Sequence, residues 1–146
     1  MKILIQRVKQ AQVRVDQALI ADINQGLLAF IGIEQTDQID QIQKAADKIL
    51  KYRVFSDEQG KMNLSVKDIK GEVLCVSQFT LVADTAKGLR PGFSRAASPE
   101  QAEKVYTHFV NYIKAQYAGI QTGQFAADMQ ISLINDGPVT FHFDIT

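Results

Sequence analysis

The chain has 146 residues, 46% of them hydrophobic and 22% charged. That length suits one domain with a core of its own, and the composition excludes disorder as the main character. Sixteen basic residues balance sixteen acidic ones, whereas a protein that coats duplex nucleic acid non-specifically carries a basic excess, so only a local grip on a short piece remains open.

The first third reads as strands. Ile3, Ile5 and Arg7 alternate with Leu4, Gln6 and Val8, and Ala11, Val13 and Val15 alternate with Gln12, Arg14 and Asp16. Residues 19–23 follow after a short polar break. Gly26 then precedes Leu27-Leu28-Ala29-Phe30-Ile31-Gly32-Ile33, a continuous apolar run that suits a strand buried on both faces. Thr36 and Asp37 are candidate N-caps for a helix over 37–53, whose apolar stripe is Ile39, Ile42, Ala46, Ile49 and Leu50. Residues 56–60 and 68–71 are turn clusters, and 72–80 reads as a central strand. Ser98, Pro99 and Gln101 signpost a second helix over 99–117 as N-cap, first helical residue and capping-box partner. Its buried face is Ala102, Val105, Tyr106, Phe109, Ile113 and Tyr117, and Gly119 is a natural stop. The chain returns to strands over 129–134 and 139–145, with Asn135 to Thr140 read as a turn. The expected fold class is α+β: one domain, a mixed, mostly antiparallel, barrel-like sheet and two main helices.

The inventory of reactive groups is thin. The single cysteine, Cys75, excludes an internal disulfide and a multi-cysteine zinc site, and its apolar surroundings suggest an inert buried thiol. No metal-ligand spacing, Walker-type phosphate loop or dinucleotide fingerprint occurs, so neither metal nor cofactor is expected. His108 falls on the second helix as a surface residue, and His142 on the polar face of the last strand. Side-chain acid–base catalysis is therefore poorly supplied. No run approaches the ~18 apolar residues of a membrane span. Met1 to Arg7 turns polar too soon for a signal peptide, which makes a reducing, cytoplasmic setting the default.

Three segments depart from ordinary core logic. Ser77-Gln78-Phe79-Thr80-Leu81 sets polar residues where a buried strand ends; they either line a pocket or satisfy backbone groups. Lys87-Gly88-Leu89-Arg90-Pro91-Gly92-Phe93-Ser94-Arg95 holds three cations in nine residues, either a phosphate-binding loop or a solvated basic one. Asn135-Asp136-Gly137-Pro138-Val139-Thr140 carries a Gly-Pro pair, which is a generic turn or, with a cis bond, a rigid backbone clamp.

Together these segments resemble the D-aminoacyl-tRNA deacylase family along the whole chain. The likeness runs from Gln6-Arg7-Val8 and Gly26-Leu27-Leu28 through Tyr52-Arg53-Val54-Phe55 and Gly60-Lys61-Met62-Asn63. It continues in Arg90-Pro91 with Phe93, in Phe125-Ala126-Ala127-Asp128-Met129, and in the two signatures, Ser77 to Leu81 and Asn135 to Thr140. The resemblance implies a cytoplasmic homodimer that cleaves the ester joining a D-amino acid, or glycine, to the 3′-terminal adenosine of tRNA, including glycine misloaded on alanine tRNA. It implies that a cis Gly137–Pro138 pair reaches into the partner subunit's pocket, holds the substrate amino group and leaves no room for an L side chain. Ser77, Gln78, Phe79 and Thr80 would form the catalytic segment. The Phe79 and Thr80 N–H groups would bind the oxyanion, and the substrate 2′-hydroxyl would help activate water in preference to a Thr80 nucleophile. Phe125 and Met129 would line the adenosine pocket, and Arg7 would support the Gly-Pro segment. Lys87, Arg90 and Arg95 are candidates for phosphate contacts. Two rival functions stay open: a non-catalytic module that binds an RNA end, and a small-molecule esterase with Ser77 or Thr80 as nucleophile.

Overall fold

The computed structural model describes residues 1–146. Its strands are β1 (Lys2–Val15), β2 (Ala18–Ile23), β3 (Gly26–Gly32), β4 (Phe55–Ser56), β5 (Met62–Leu64), β6 (Glu72–Ser77), β7 (Ile120–Thr122) and β8 (Gln130–Asp144). Helix α1 (Ile39–Lys51) lies between β3 and β4, and α2 (Pro99–Gln116) lies between β6 and β7. The main sheet runs β2-β1-β3-β6-β7, with β8 also on β1; β4 and β5 form a separate hairpin.

Strand β1 organises this sheet. Its first half pairs antiparallel with β3, its second half with β2, and almost its whole length with β8. A two-residue turn joins β1 to β2, and both Asp16 (φ 48°) and Gln17 (φ 69°) adopt the left-handed conformation that a tight hairpin of this twist demands. Alternation puts Ile3 and Ile5 on the helix side. Lys9 has no partner on β8, since Val8 faces Asn135 and Gln10 faces Ile134. This extra residue switches the pleat, so Val8, Ala11 and Val13 all enter the same second cluster.

The last third departs from the sequence expectation. Residues 130–144 form one strand, not two strands and a turn. Gln6 faces Thr140 and Val8 faces Asn135, so β8 spends the four residues 136–139 opposite the lone Arg7. The Gly-Pro pair sits on this bulge, and the hydrogen-bonded ladder resumes beyond it.

Strands β3, β6 and β7 are parallel, which requires crossover connections, and the two helices supply them. Burial of β3 on both faces agrees with its unbroken apolar run. Its start needs glycine: a Cβ on Gly26 would stand 1.8 Å from the carbonyl oxygen of the facing Glu72. At the far side the sheet curls until β7 nears β2, and a side chain bridges them. Gln121 accepts from the Asp22 N–H at 2.9 Å and donates to the Asp22 carbonyl at 2.7 Å. One primary amide thus imitates a rung of the ladder and nearly closes the barrel.

Helix α1 begins at Ile39, with Gln38 as N-cap and the Gln41 side chain accepting the Gln38 N–H at 2.8 Å. Asp37 is not the cap; its carboxylate is engaged by Met1 and by the Glu34 N–H. Ile39 is exposed, and burial begins with Ile42, Ala45 and Ala46, where the helix reaches the sheet. At α2, Ser98 caps as expected, accepting the Gln101 N–H at 3.3 Å. The Gln101 side chain does not close the box but donates to the Gln35 carbonyl at 2.9 Å. The helix stops at Gln116, and Gly119 serves close packing against Tyr117 and the Gly71 carbonyl instead of a left-handed cap. The larger core cluster fills the space between both helices and one sheet face; the smaller one fills the barrel.

Gly26→Ala is expected to cost about 3 kcal/mol, because backbone atoms cannot yield to the added methyl. Gln121→Ala is expected to cost about 1 kcal/mol, since water can replace the lost partner at this exposed edge. Urea unfolding midpoints at constant m-value check both.

Candidate active site

Strands β3 and β6 end side by side, and the last rung between them is the Gln78 N–H donating to the Ile31 carbonyl at 2.8 Å. Past it the chain leaves the sheet as a single 3₁₀ turn, Phe79–Val82, so the expected strand over 72–80 ends at Ser77. Pockets in sheets with parallel strands open beyond their carboxyl ends, and here a cavity of about 630 Å³ does so. Ser77, Gln78 and Phe79 form one side, Phe125 and Met129 another, and Phe93, Ala96 and Ala97 a third. The volume suits a small organic ligand.

None of the residues that line this cavity is a histidine, cysteine, lysine, arginine or carboxylic acid. The Ser77 hydroxyl therefore has no base beside it, which a serine nucleophile requires. Thr80 is exposed, lies outside the cavity lining, and accepts a hydrogen bond from the Gln78 side chain. His108 and His142 are exposed elsewhere. Cys75 lies behind the cavity with its thiol pushed up to about 12 by burial, too high for a nucleophile at neutral pH. The backbone supplies what the side chains lack. The N–H groups of Phe79 and Thr80, at the start of the 3₁₀ turn, have no acceptor within the chain. Two such donors at a cavity rim can stabilise a developing negative charge.

The wall behind Phe125 is held by a residue read from sequence only as core. Tyr106 on α2 is buried, its ring lies 5.8 Å from that of Phe125, and its hydroxyl donates to the Cys75 carbonyl at 3.1 Å. Burial pushes its phenol far up, so it stays a neutral donor. The available signal was a tyrosine in the middle of a mostly apolar helix face, since a buried hydroxyl must find a partner. Phe93, also outside the set of expected site residues, rests 5.1 Å from Phe79.

The other expected site residues gather somewhere else. Arg7 donates from Nε to the Asp136 carbonyl at 2.9 Å and from Nη1 to the Val54 carbonyl at 2.7 Å. Its side chain is only 13% exposed, so it is a fixed brace for the bulge and not a loose surface cation. The Gly137–Pro138 bond is cis, and both residues are exposed. Gly137 has φ 142°, and an added Cβ would lie 2.6 Å from Val139 Cγ2. None of Arg7, Gly137 and Pro138 lines the cavity of its own chain. In the basic loop, Lys87 and Arg90 are exposed, whereas Arg95 Nη2 binds Glu34 Oε1 at 2.7 Å.

Residues 4–144 match the family described as D-Tyr-tRNA(Tyr) deacylase. The chain belongs to that family. It is thereby a hydrolase of the aminoacyl-tRNA deacylase class. Among curated relatives, a D-aminoacyl-tRNA deacylase of Shewanella denitrificans is 56% identical over 97% of this chain and 98% of its own. One of Saccharophagus degradans is 58% identical over 97% of each. Two solved structures share the deacylase fold. A c-Myc DNA unwinding element binding protein superposes with a TM-score of 0.94 at 40% identity, over 99% of this chain and 98% of that one. A probable eukaryotic D-amino acid tRNA deacylase gives 0.85 at 14% identity over the same shares, a likeness of fold alone.

Arg7→Ala is expected to cost about 3 kcal/mol in urea unfolding, because two carbonyls lose a charged donor. Arg7→Lys should recover less than half of that, since an ammonium cannot span both acceptors. Iodoacetamide at pH 8 is expected to leave Cys75 unmodified in the folded protein and to label it after unfolding, as read by intact mass.

Proposed function

We propose that the chain hydrolyses the ester of D-aminoacyl-tRNA, accepts glycyl-tRNA, including glycine carried on alanine tRNA, and rejects the L form. The observation that carries this reading is the cavity without a titratable side chain beside two unpaired backbone donors. A site so built has to take its proton chemistry from water and the substrate. The terminal adenosine packs against Phe125 and Met129. Water attacks the ester carbonyl, the oxyanion is received by the Phe79 and Thr80 N–H groups, and the neighbouring 2′-hydroxyl of the substrate helps orient and deprotonate the water. The bond to the 3′-oxygen breaks, and that oxygen leaves with the proton.

Chirality is assigned to Gly137 and Pro138 of a second copy of the chain. Their exposure, their absence from the cavity lining of their own chain and the brace of Arg7 support a rigid bracket offered outward. Its carbonyls accept from the substrate amino group and crowd the position of an L side chain. Glycine has no side chain to be refused. Only the tRNA acceptor end need bind, which agrees with zero net charge. Lys87 and Arg90 are the phosphate contacts in this reading. Arg95 pairs with Glu34 through Nη2 but is 63% exposed, so it stands with them as a third candidate.

A second reading has a specific observation behind it, the DNA-binding name of a 40% identical structure. On that view the cavity holds a nucleic-acid end without turnover. An esterase with a Thr80 nucleophile has less support, because no base adjoins that hydroxyl.

Incubation of the protein with D-tyrosyl-, L-tyrosyl- and glycyl-tRNA separates these readings. Release from the D and glycyl esters, with the L ester intact, is the expected result; retention of all three esters selects the binding module. Thr80→Ala should keep substantial activity, and a 2′-deoxy terminal adenosine should lose about 100-fold or more, the usual worth of a positioned proton acceptor. A covalent ester trapped on Thr80 would reverse that assignment.

A further inference from the structure

The start of the chain is tied into the protein by a small ionic network. The α-ammonium of Met1 is buried and donates to Glu34 Oε2 at 2.9 Å, Asp37 Oδ1 at 2.6 Å and the Ile145 carbonyl at 3.1 Å. Three protons meet three acceptors, so the group is fully satisfied. Glu34 Oε1 accepts from Arg95, and Asp37 Oδ2 accepts from the Glu34 N–H at 2.8 Å. Burial works against the Glu34 carboxylate. The hydrogen bond and charge of the α-ammonium, helped by Lys2 and Arg95, outweigh it and hold the group below its ordinary range.

This network borders the active site. Residues 33–35 are laced to residues 94–97. The Gln35 N–H donates to the Arg95 carbonyl at 3.1 Å, the Gln35 side chain to the Ser94 carbonyl at 2.6 Å, and the Ala97 N–H to the Ile33 carbonyl at 3.1 Å. Phe93, Ala96 and Ala97 form one cavity wall, and Phe93 leans on Phe79. Glu34 is the side chain that joins the buried ammonium to this strip. The Arg95 side chain is 63% exposed, so its grip on Glu34 is what restrains it.

We propose that Glu34 is a positioning residue of the active site: clamped between the Met1 ammonium and Arg95, it sets the 93–97 wall against which substrate packs. The identity of that substrate rests on the deacylase reading; the geometry does not. The wall meets the Phe79 ring through Phe93 but carries neither of the two N–H groups at the end of β6. Loosening it therefore weakens substrate binding and leaves the chemical step largely intact.

Two variants test this. Glu34→Gln keeps the shape and removes the charge. A chain with one extra alanine ahead of Met1 keeps both carboxylates and shifts the ammonium by about 3.8 Å, one Cα–Cα step. Amide exchange is followed by NMR, with kcat and KM for D-tyrosyl-tRNA measured well below the unfolding midpoint. In both variants the Gln35 and Ala97 amides should exchange about tenfold faster while Leu28 and Cys75 stay protected. KM should rise about threefold or more with kcat held within about twofold, the mark of lost uniform binding. Should Glu34→Gln not fold, the alanine-extended chain decides. Unchanged exchange at Gln35 and Ala97 overturns the proposal, as does faster exchange with unchanged KM. A lowered unfolding midpoint with neither readout moved also overturns it, because that is a purely structural role. A wild-type protein inert towards D-tyrosyl-tRNA would refute the deacylase reading, and amide exchange alone would then decide the role of Glu34.

Discussion

The parallel pairing of β3 with β6 is the constraint on which the rest of this molecule depends. Its register runs from Gly26 opposite Glu72 to Ile31 opposite Ser77. A clash-free start at Gly26 fixes where the pairing begins, and the Gln78–Ile31 hydrogen bond fixes where it ends. Had the sheet continued, the Thr80 N–H would have been spent on β3 and the Phe79 N–H on the β7 side, since donors alternate along β6. Because it stops there, a cavity floor and two free donors arise from the same break.

Around that break the ordered polar side chains give support. Tyr106 anchors the carbonyl of Cys75 and backs Phe125, and Arg7 braces the β8 bulge. Each is a largely buried polar group that donates to backbone carbonyls, and each fixes the segment it holds. On the proposed mechanism this arrangement explains how a chain with two exposed histidines and one inert thiol can belong to a hydrolase family.

Much of this was legible in the sequence. The apolar run of β3, the alternation of β1 and the Ser98-Pro99 helix start are local signals, and they matched the structure. What misled were positions decided by distant partners. Asp37 looked like a cap, but the Met1 ammonium, far away in sequence, claimed its carboxylate. Residues 135–140 looked like a turn because Gly-Pro usually marks one; pairing with β1 on both sides turned them into a bulge. Gly119 looked like a helix stop and proved to be a packing site. In the candidate site, Ser77 to Phe79, Phe125 and Met129 line one cavity, and Thr80 does not. Arg7, Gly137 and Pro138 lie outside that cavity in their own chain and gather instead at the β8 bulge. The tyrosine at 106 was visible on its helix face, but its partner, the Cys75 carbonyl, and that of Arg95, Glu34, are tertiary.

The free donors at the end of β6 have a consequence for how such a site changes under mutation. An N–H that belongs to the main chain is present whichever amino acid the codon specifies, proline excepted. Random replacement of the residues at 79 and 80 therefore leaves the donors in place unless the path of the backbone itself moves. On the proposed mechanism the vulnerable positions are the distant ones that hold that path, and loss-of-function changes should map to the scaffold more often than to the rim of the cleft.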